Sequence, residues 1–233
     1  MIGLAAKPIE EILEMLHGKE KIVLVGCGGC APFFHAGGEA EVKAMADTLS
    51  QNGKKILAAI SPPFGEFTCY VPWIEERLKP YMKEIEECDA ILVMACGTGL
   101  QIVREVMEDG YGLVKPIYPA NDTIGNMGGG RVLFGDALFR EKCEQCGQCV
   151  LGQFAGVCPL TQCAKGLLNG PCGGSKNGKC EQQPEHNCAW IMIYERLKKL
   201  GELDKMKEFV PPKDYSKMHR PRVLEVAPLD FND

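Results

Sequence analysis

The stretch from Cys143 to Cys188 constrains this chain most, because it holds eight of the thirteen cysteines. It opens with C-x2-C-x2-C, and five further cysteines follow. The eight are Cys143, Cys146, Cys149, Cys158, Cys163, Cys172, Cys180 and Cys188. Three thiolates spaced by two residues fit around one corner of an iron–sulfur cube, and a more distant cysteine supplies the fourth ligand. Eight thiolates are therefore enough for two [4Fe–4S] clusters.

Three alternatives compete with clusters: disulfides, structural zinc and free buried thiols, the last of which the density and spacing of the cysteines disfavour. Disulfides are disfavoured because no secretory segment is visible, the number of cysteines is odd, and so many thiols suit a reducing compartment. Structural zinc usually takes two separated ligand pairs and often histidine, whereas His186 is the only histidine in this stretch. The spacing matches bacterial ferredoxins only in part, since eight residues separate Cys149 from Cys158. Which cysteines share a cluster stays open.

The composition excludes several classes of protein. The net charge is −5 and no basic patch stands out, so nucleic acid is not an expected partner. No apolar run approaches the length of about 18 residues that a membrane span needs. No targeting segment is visible, which together with the thiols predicts a cytoplasmic protein.

The N-terminal half alternates apolar, β-branched runs with amphipathic segments. The predicted strands are 21–26, 55–60, 90–96 and 115–120, and the predicted helices are 8–17, 39–53, 71–88 (interrupted at Pro80) and 100–109. This alternation predicts an α/β fold with a parallel sheet of the Rossmann or flavodoxin-like kind. Residues 121–130 are interpreted as a turn-rich loop and 131–135 as a possible edge strand.

Four other cysteines follow the predicted strands. Cys27 and Cys30 come after the first strand, Cys69 lies in the loop after the second, and Cys96 ends the third. Function collects at the carboxyl ends of parallel strands, so these thiols predict a third metal site, either zinc or a cluster. Cys88 precedes a strand and is interpreted as a buried apolar residue.

Other signals in this half are weaker. The sequence G-C-G-G-C-A mimics a dinucleotide fingerprint, but the second strand lacks the acid that would hold a ribose hydroxyl. His35 is a candidate ligand or a hydrogen-bonded side chain without a metal.

Three segments are expected. An α/β domain would span 1–140, and a cysteine-rich iron–sulfur module ending in a helix over 188–209 would span 141–210. An extended C-terminal arm over 211–233 would follow, with a disordered tail as the alternative.

The chain resembles a known family. The motifs that carry the resemblance are GCGGC-x4-HAGGE, ACGTG, C-x2-C-x2-C, CAKGLLNGPCGGSKNGKCE and CAWIMIYERLKKLG. They are similar to the MetV-type small iron–sulfur subunit of two-subunit methylenetetrahydrofolate reductases, and NGPCGG is the most specific of them. The resemblance is weakest in the tail. One departure is Phe34, which stands where the family commonly has a cysteine before HAGGE.

The resemblance implies a partner subunit that carries the flavin, FMN, and reduces methylenetetrahydrofolate in one-carbon (acetyl-CoA pathway) metabolism. This chain would carry electrons to or from that flavin, and a further electron-donor protein is an open addition. No residue pairs as a general base or nucleophile, so no catalytic residue is assigned. The rival hypotheses are a zinc-stabilised scaffold without a redox role and an independent redox enzyme with its own substrate.

Overall fold

The structure is a computed structural model that describes residues 1–131, 136–218 and 220–224. It divides into two units, Met1–Phe139 and Arg140–Asp233. The strands are β1 (Ile2–Ala6), β2 (Lys21–Val25), β3 (Lys55–Ile60), β4 (Ala90–Val93), β5 (Ile117–Pro119), β6 (Asn121–Arg131) and β7 (Asp136–Cys143). The helices are α1 (Ile9–Met15), α2 (Glu39–Gln51), α3 (Val71–Leu78), α4 (Met82–Glu87), α5 (Gly97–Glu105), α6 (Pro159–Gln162) and α7 (Ala189–Leu200).

The first unit is built on a parallel four-stranded sheet in the order β3-β2-β4-β5. This order matches the first four strands of the doubly wound, flavodoxin-like arrangement, whose topological switch point lies between β2 and β4. The predicted α/β class is therefore confirmed. Because all four strands are parallel, their carboxyl ends lie at one edge.

The sheet is covered on both faces, which explains the unbroken apolar runs of its central strands. On β2, Val23 and Val25 belong to one core cluster, while Ile22 and Leu24 belong to the other. Successive side chains of a strand point to opposite faces, so the single strand β2 contributes side chains to both core clusters. Each fully buried Ile or Leu contributes about 1.5–3 kcal/mol relative to an exposed one.

The helices of the first unit begin and end close to where the sequence places them. The helix predicted over 71–88 is interrupted as expected, because α3 ends at Leu78 and a 3₁₀ turn containing Pro80 precedes α4. The helix predicted over 100–109 instead begins at Gly97, and its last turn is a π-helix over Val106–Gly110.

A second sheet, in the order β1-β6-β7, was not expected. β1 pairs antiparallel with β6, so the interpretation of 121–130 as a turn-rich loop is wrong. The glycines that suggest turns are accommodated inside the strand, two of them with positive φ at Gly125 and Gly129. Of the possible edge strand at 131–135, residues 132–135 lie outside the described residues.

The second unit has a small core of its own. Five buried residues form it: Phe154, Trp190, Ile193, Leu197 and Val210. The helix predicted over 188–209 is shorter, because α7 ends at Leu200 and its C-cap, Gly201, adopts the left-handed conformation with φ 72°. A 3₁₀ turn over Leu203–Lys207 follows. Across the part of the chain that the structure describes, no helix is both long and apolar enough to cross a membrane.

Candidate metal centres

The structure brings the four N-terminal thiols, Cys27, Cys30, Cys69 and Cys96, to the carboxyl edge of the parallel sheet. Burial is the main cause that raises the pKa of the Cys69 thiol. The thiols of Cys96, Cys27 and Cys30 raise this pKa further, in that order, because nearby negative charges oppose ionisation. The other three sulfurs are therefore each within electrostatic reach of the Cys69 sulfur. We call this group the sheet-edge set.

Glycines allow the loops that carry the sheet-edge set to touch. A Cβ atom added at Gly28 would lie 1.9 Å from the carbonyl oxygen of Pro63, and one at Gly37 would lie 1.8 Å from that of Met94. The Thr68 hydroxyl, which is fully buried, donates a 2.8 Å hydrogen bond to the carbonyl of Gly26. The loop after β2 is thus packed against the loop that carries Cys69.

Backbone N–H groups approach two of these sulfurs. The N–H of Gly29 donates to Cys27 Sγ at 3.4 Å, and the N–H of Ile2 donates to Cys30 Sγ at 3.3 Å. Such bonds stabilise a thiolate and tune the potential of a bound cluster. Ile2 lies on β1, a strand that the sequence analysis missed, because its five apolar and small residues show no alternation that would indicate a strand.

The structure also gives the positions of Cys96, Cys88 and His35. Cys96 is the N-cap of α5, so it lies at the positive end of the dipole of that helix. Cys88 is 3% exposed in the core and its Sγ donates to the carbonyl of Ile85, in agreement with its interpretation as an apolar residue. The His35 side chain is largely exposed and its Nδ1 lies 3.4 Å from a carboxylate oxygen of Glu41.

In the second unit, four cysteines line one small cavity: Cys163, Cys172, Cys180 and Cys188. We call these the second set. The wall of the cavity is completed by Trp190 and by the ion pair of Lys165 with Glu181. The Glu181 Oε1 atom accepts a 3.4 Å bond from Cys172 Sγ, and Cys188 is the N-cap of α7. The sequence spacing left this grouping open because the glycine-rich connections between the cysteines do not determine which of them meet.

The other four cysteines are Cys143, Cys146, Cys149 and Cys158, which we call the first set. β7 ends at Cys143, and Cys158 is the N-cap of α6. Gln162 and Thr161 of α6 donate hydrogen bonds to the carbonyls of Glu141 and Lys142, at 2.7 and 3.2 Å. These bonds hold α6, and with it Cys158, beside the end of the strand that carries Cys143.

Cys146 has the most distinctive surroundings in the first set. The Lys213 ammonium lies 3.2 Å from its Sγ. Burial opposes ionisation of this thiol, but a backbone hydrogen bond with Gln148 and the Lys213 ammonium outweigh it, so the pKa of Cys146 is lowered.

The donor chemistry fits a metal or cluster. All thirteen cysteines are free, and the three sets supply four sulfurs each, which both iron–sulfur clusters and zinc accept. Within the described ranges, no three His, Cys, Asp or Glu side chains are arranged so that they could hold a metal ion as they stand. Loading would therefore require the thiols of each set to adjust their positions.

The fold and the thiol sets define an α/β protein with a cysteine-rich C-terminal module. Residues 126–216 match the model of the family described as methylene-tetrahydrofolate reductase C terminal. The match contains all eight cysteines of the module and is consistent with a MetV-type subunit. Comparison with curated proteins gave no match, and comparison with solved structures gave none either.

Proposed function

We propose that this chain is an iron–sulfur electron-transfer subunit that passes electrons to or from the flavin of a methylenetetrahydrofolate reductase catalytic subunit. The observation that supports it most is the cavity lined by four of the eight C-terminal thiols, together with the bonds that hold Cys158 of the remaining four beside the strand that carries Cys143. Four thiolates are what one [4Fe–4S] cluster needs. The first and second sets would each hold one.

The chain's own residues would bind and tune these groups. Thiolates supply the ligands, and N–H groups such as those of Gln145 and Gly174 lie 3.3 and 3.4 Å from the Cys143 and Cys172 sulfurs. Clusters exchange single electrons, and the two-electron chemistry would belong to FMN on the partner. The partner is proposed from the family match, because a C-terminal family of this reductase implies a catalytic counterpart.

The sheet-edge set is proposed as a third metal site, with zinc or a cluster as its occupant. A further electron-donor protein is a compatible partner. Thirteen free thiols suit a reducing compartment, so we place the chain in the cytoplasm.

Metal and sulfide analysis of anaerobically purified chain tests the proposal. We expect about eight iron and eight sulfide per chain from the two C-terminal sets. Cys172→Ser should remove about half of that iron, whereas Cys88→Ser, which alters a buried thiol outside the three sets, should remove none. Colourless protein without sulfide would refute the proposal.

One observation favours the zinc scaffold as a second candidate. The cavity of the second set measures about 20 Å³, which is room for about one water-sized species rather than a cube. Zinc binding would give about one equivalent per thiol set, no visible absorption and no EPR signal after reduction.

Electron transfer itself is tested with the partner. The loaded chain, mixed anaerobically with the flavin-bearing subunit, should reduce or oxidise FMN, and Cys172→Ser should slow this exchange. Reductase activity of the chain alone, without a flavoprotein, would instead support an independent redox enzyme.

A further inference from the structure

A segment near the C-terminus is tied to the C-x2-C-x2-C loop of the first set. The Lys213 ammonium donates to the carbonyl oxygen of Gln148 and to Cys146 Sγ. The N–H of Asp214 donates to Gln148 Oε1 at 2.9 Å, and the Arg222 guanidinium donates to the carbonyl of Gln145 at 2.7 Å. This part of the expected arm therefore lies against the cysteine loop in the second unit.

Lys213 is unusual among the lysines because its side chain is buried, with 8% of the residue exposed. Among the described residues, no carboxylate forms an ion pair with it. Its contacts are a neutral carbonyl and the sulfur of Cys146. A buried ammonium is costly unless a negative group balances it, and Cys146, 3.2 Å away, is in position to do so once it ligates a cluster as a thiolate.

We propose that Lys213 is a positioning and electrostatic residue that raises the reduction potential of the centre held by the first set. The inference rests on the proposed function, because it assumes an iron–sulfur group bound by Cys143, Cys146, Cys149 and Cys158. Each reduction adds one negative charge there. The ammonium, one hydrogen bond from a ligand sulfur and shielded from water, favours that added charge.

The second set provides a natural contrast. Lys165 also lies beside ligand sulfurs, but it is paired with the Glu181 carboxylate, which contacts Cys172 itself. Its positive charge is therefore offset locally. Since the charge of Lys213 has no such carboxylate in the described residues, the first-set centre should have the higher potential of the two.

Potentiometric titration followed by EPR tests this, on the full chain purified anaerobically. Lys213→Met removes the charge at similar length, and Lys213→Arg keeps it. The matched control is Lys207→Met in the same unit, since the Lys207 side chain is 81% exposed and paired with Asp204. We expect one centre of Lys213→Met to show a roughly tenfold lower reduced-to-oxidised ratio at a fixed potential, a shift of about −59 mV for one electron.

The outcomes separate the two proposals. Wild-type chain without iron and sulfide refutes the proposed function. Loaded wild type together with an unshifted Lys213→Met, or an equal shift in Lys207→Met, overturns the role of Lys213 and leaves the function standing. If Lys213→Met loses one cluster while Lys213→Arg keeps it, the positive charge is required for assembly rather than for the potential, and the proposal is overturned. Loss in both variants shows a packing role and overturns it.

Discussion

Gly28→Ala tests whether the loops of the sheet-edge set must touch for the site to form. The new Cβ would lie 1.9 Å from the carbonyl oxygen of Pro63, and real Cβ atoms essentially never come closer than 3.0 Å to such an atom. The backbone of one loop must therefore move by about 1.1 Å. A flexible side chain could not absorb this change, because the obstructing atom belongs to the main chain.

Two effects follow from this movement. Overpacking of a well-packed contact costs about 1–3 kcal/mol, which corresponds to a fall in Tm of roughly 2–12 °C for a chain of this size. Metal–ligand distances tolerate deviations of only about 0.2 Å, so a shift of the loop that carries Cys27 and Cys30 should weaken metal binding far more than it weakens the fold.

Gly110→Ala is the matched control, since an added Cβ there meets nothing within 4 Å and the residue has no positive φ. Thermal unfolding and metal content would be measured for both variants and the wild type. We expect Gly28→Ala to lose the metal of the sheet-edge set while retaining the C-terminal iron, and Gly110→Ala to match the wild type. Full metal content in Gly28→Ala would refute the assignment of this loop to the site.

Three further predictions concern stability. Ile193→Ala, in the small core of the second unit, should cost about 2–5 kcal/mol in denaturant unfolding, whereas Leu200→Ala, 59% exposed on the same helix, should cost little. The pKa of Asp89 is lowered, from 3.8, by hydrogen bonds from the N–H groups of Lys21 and Glu20, so its stabilising effect is present above pH 3.8 and is lost as the pH falls through the lower folded pKa. Asp89→Asn should therefore lower the Tm near pH 7, and its difference from wild type should shrink below pH 3.8; a constant difference would contradict this. Removing bound metal should lower the Tm of the second unit most, because few buried residues support it, and an unchanged calorimetric transition would contradict that.

The sequence was informative where burial alone decides the structure. The runs at 21–25, 55–60 and 90–93 are strands because an apolar stretch covered on both faces has few other ways to be buried. The break at Pro80 follows from the proline's missing N–H in the same direct way.

The sequence was uninformative where contact with a distant segment of the chain decides the structure. β6 contains polar residues and glycines, and it is a strand because β1 pairs with it. The contact of Lys213 with Cys146 joins residues that are 67 positions apart, and no spacing rule connects a lysine in a proline-rich segment to a cysteine loop.

The three thiol sets share one local geometry. It depends on neighbouring residues only, whereas the grouping of the sulfurs depends on the whole fold. In each set one cysteine accepts a bond from the N–H two residues ahead: Gly29 to Cys27, Gln145 to Cys143 and Gly174 to Cys172, at 3.3–3.4 Å. A bond across two residues requires only a local turn, so each set can present a sulfur that already accepts a backbone hydrogen bond. The grouping of the remaining sulfurs depends on contacts made by distant segments, which is why the number of thiols, but not their partition, could be deduced from spacing.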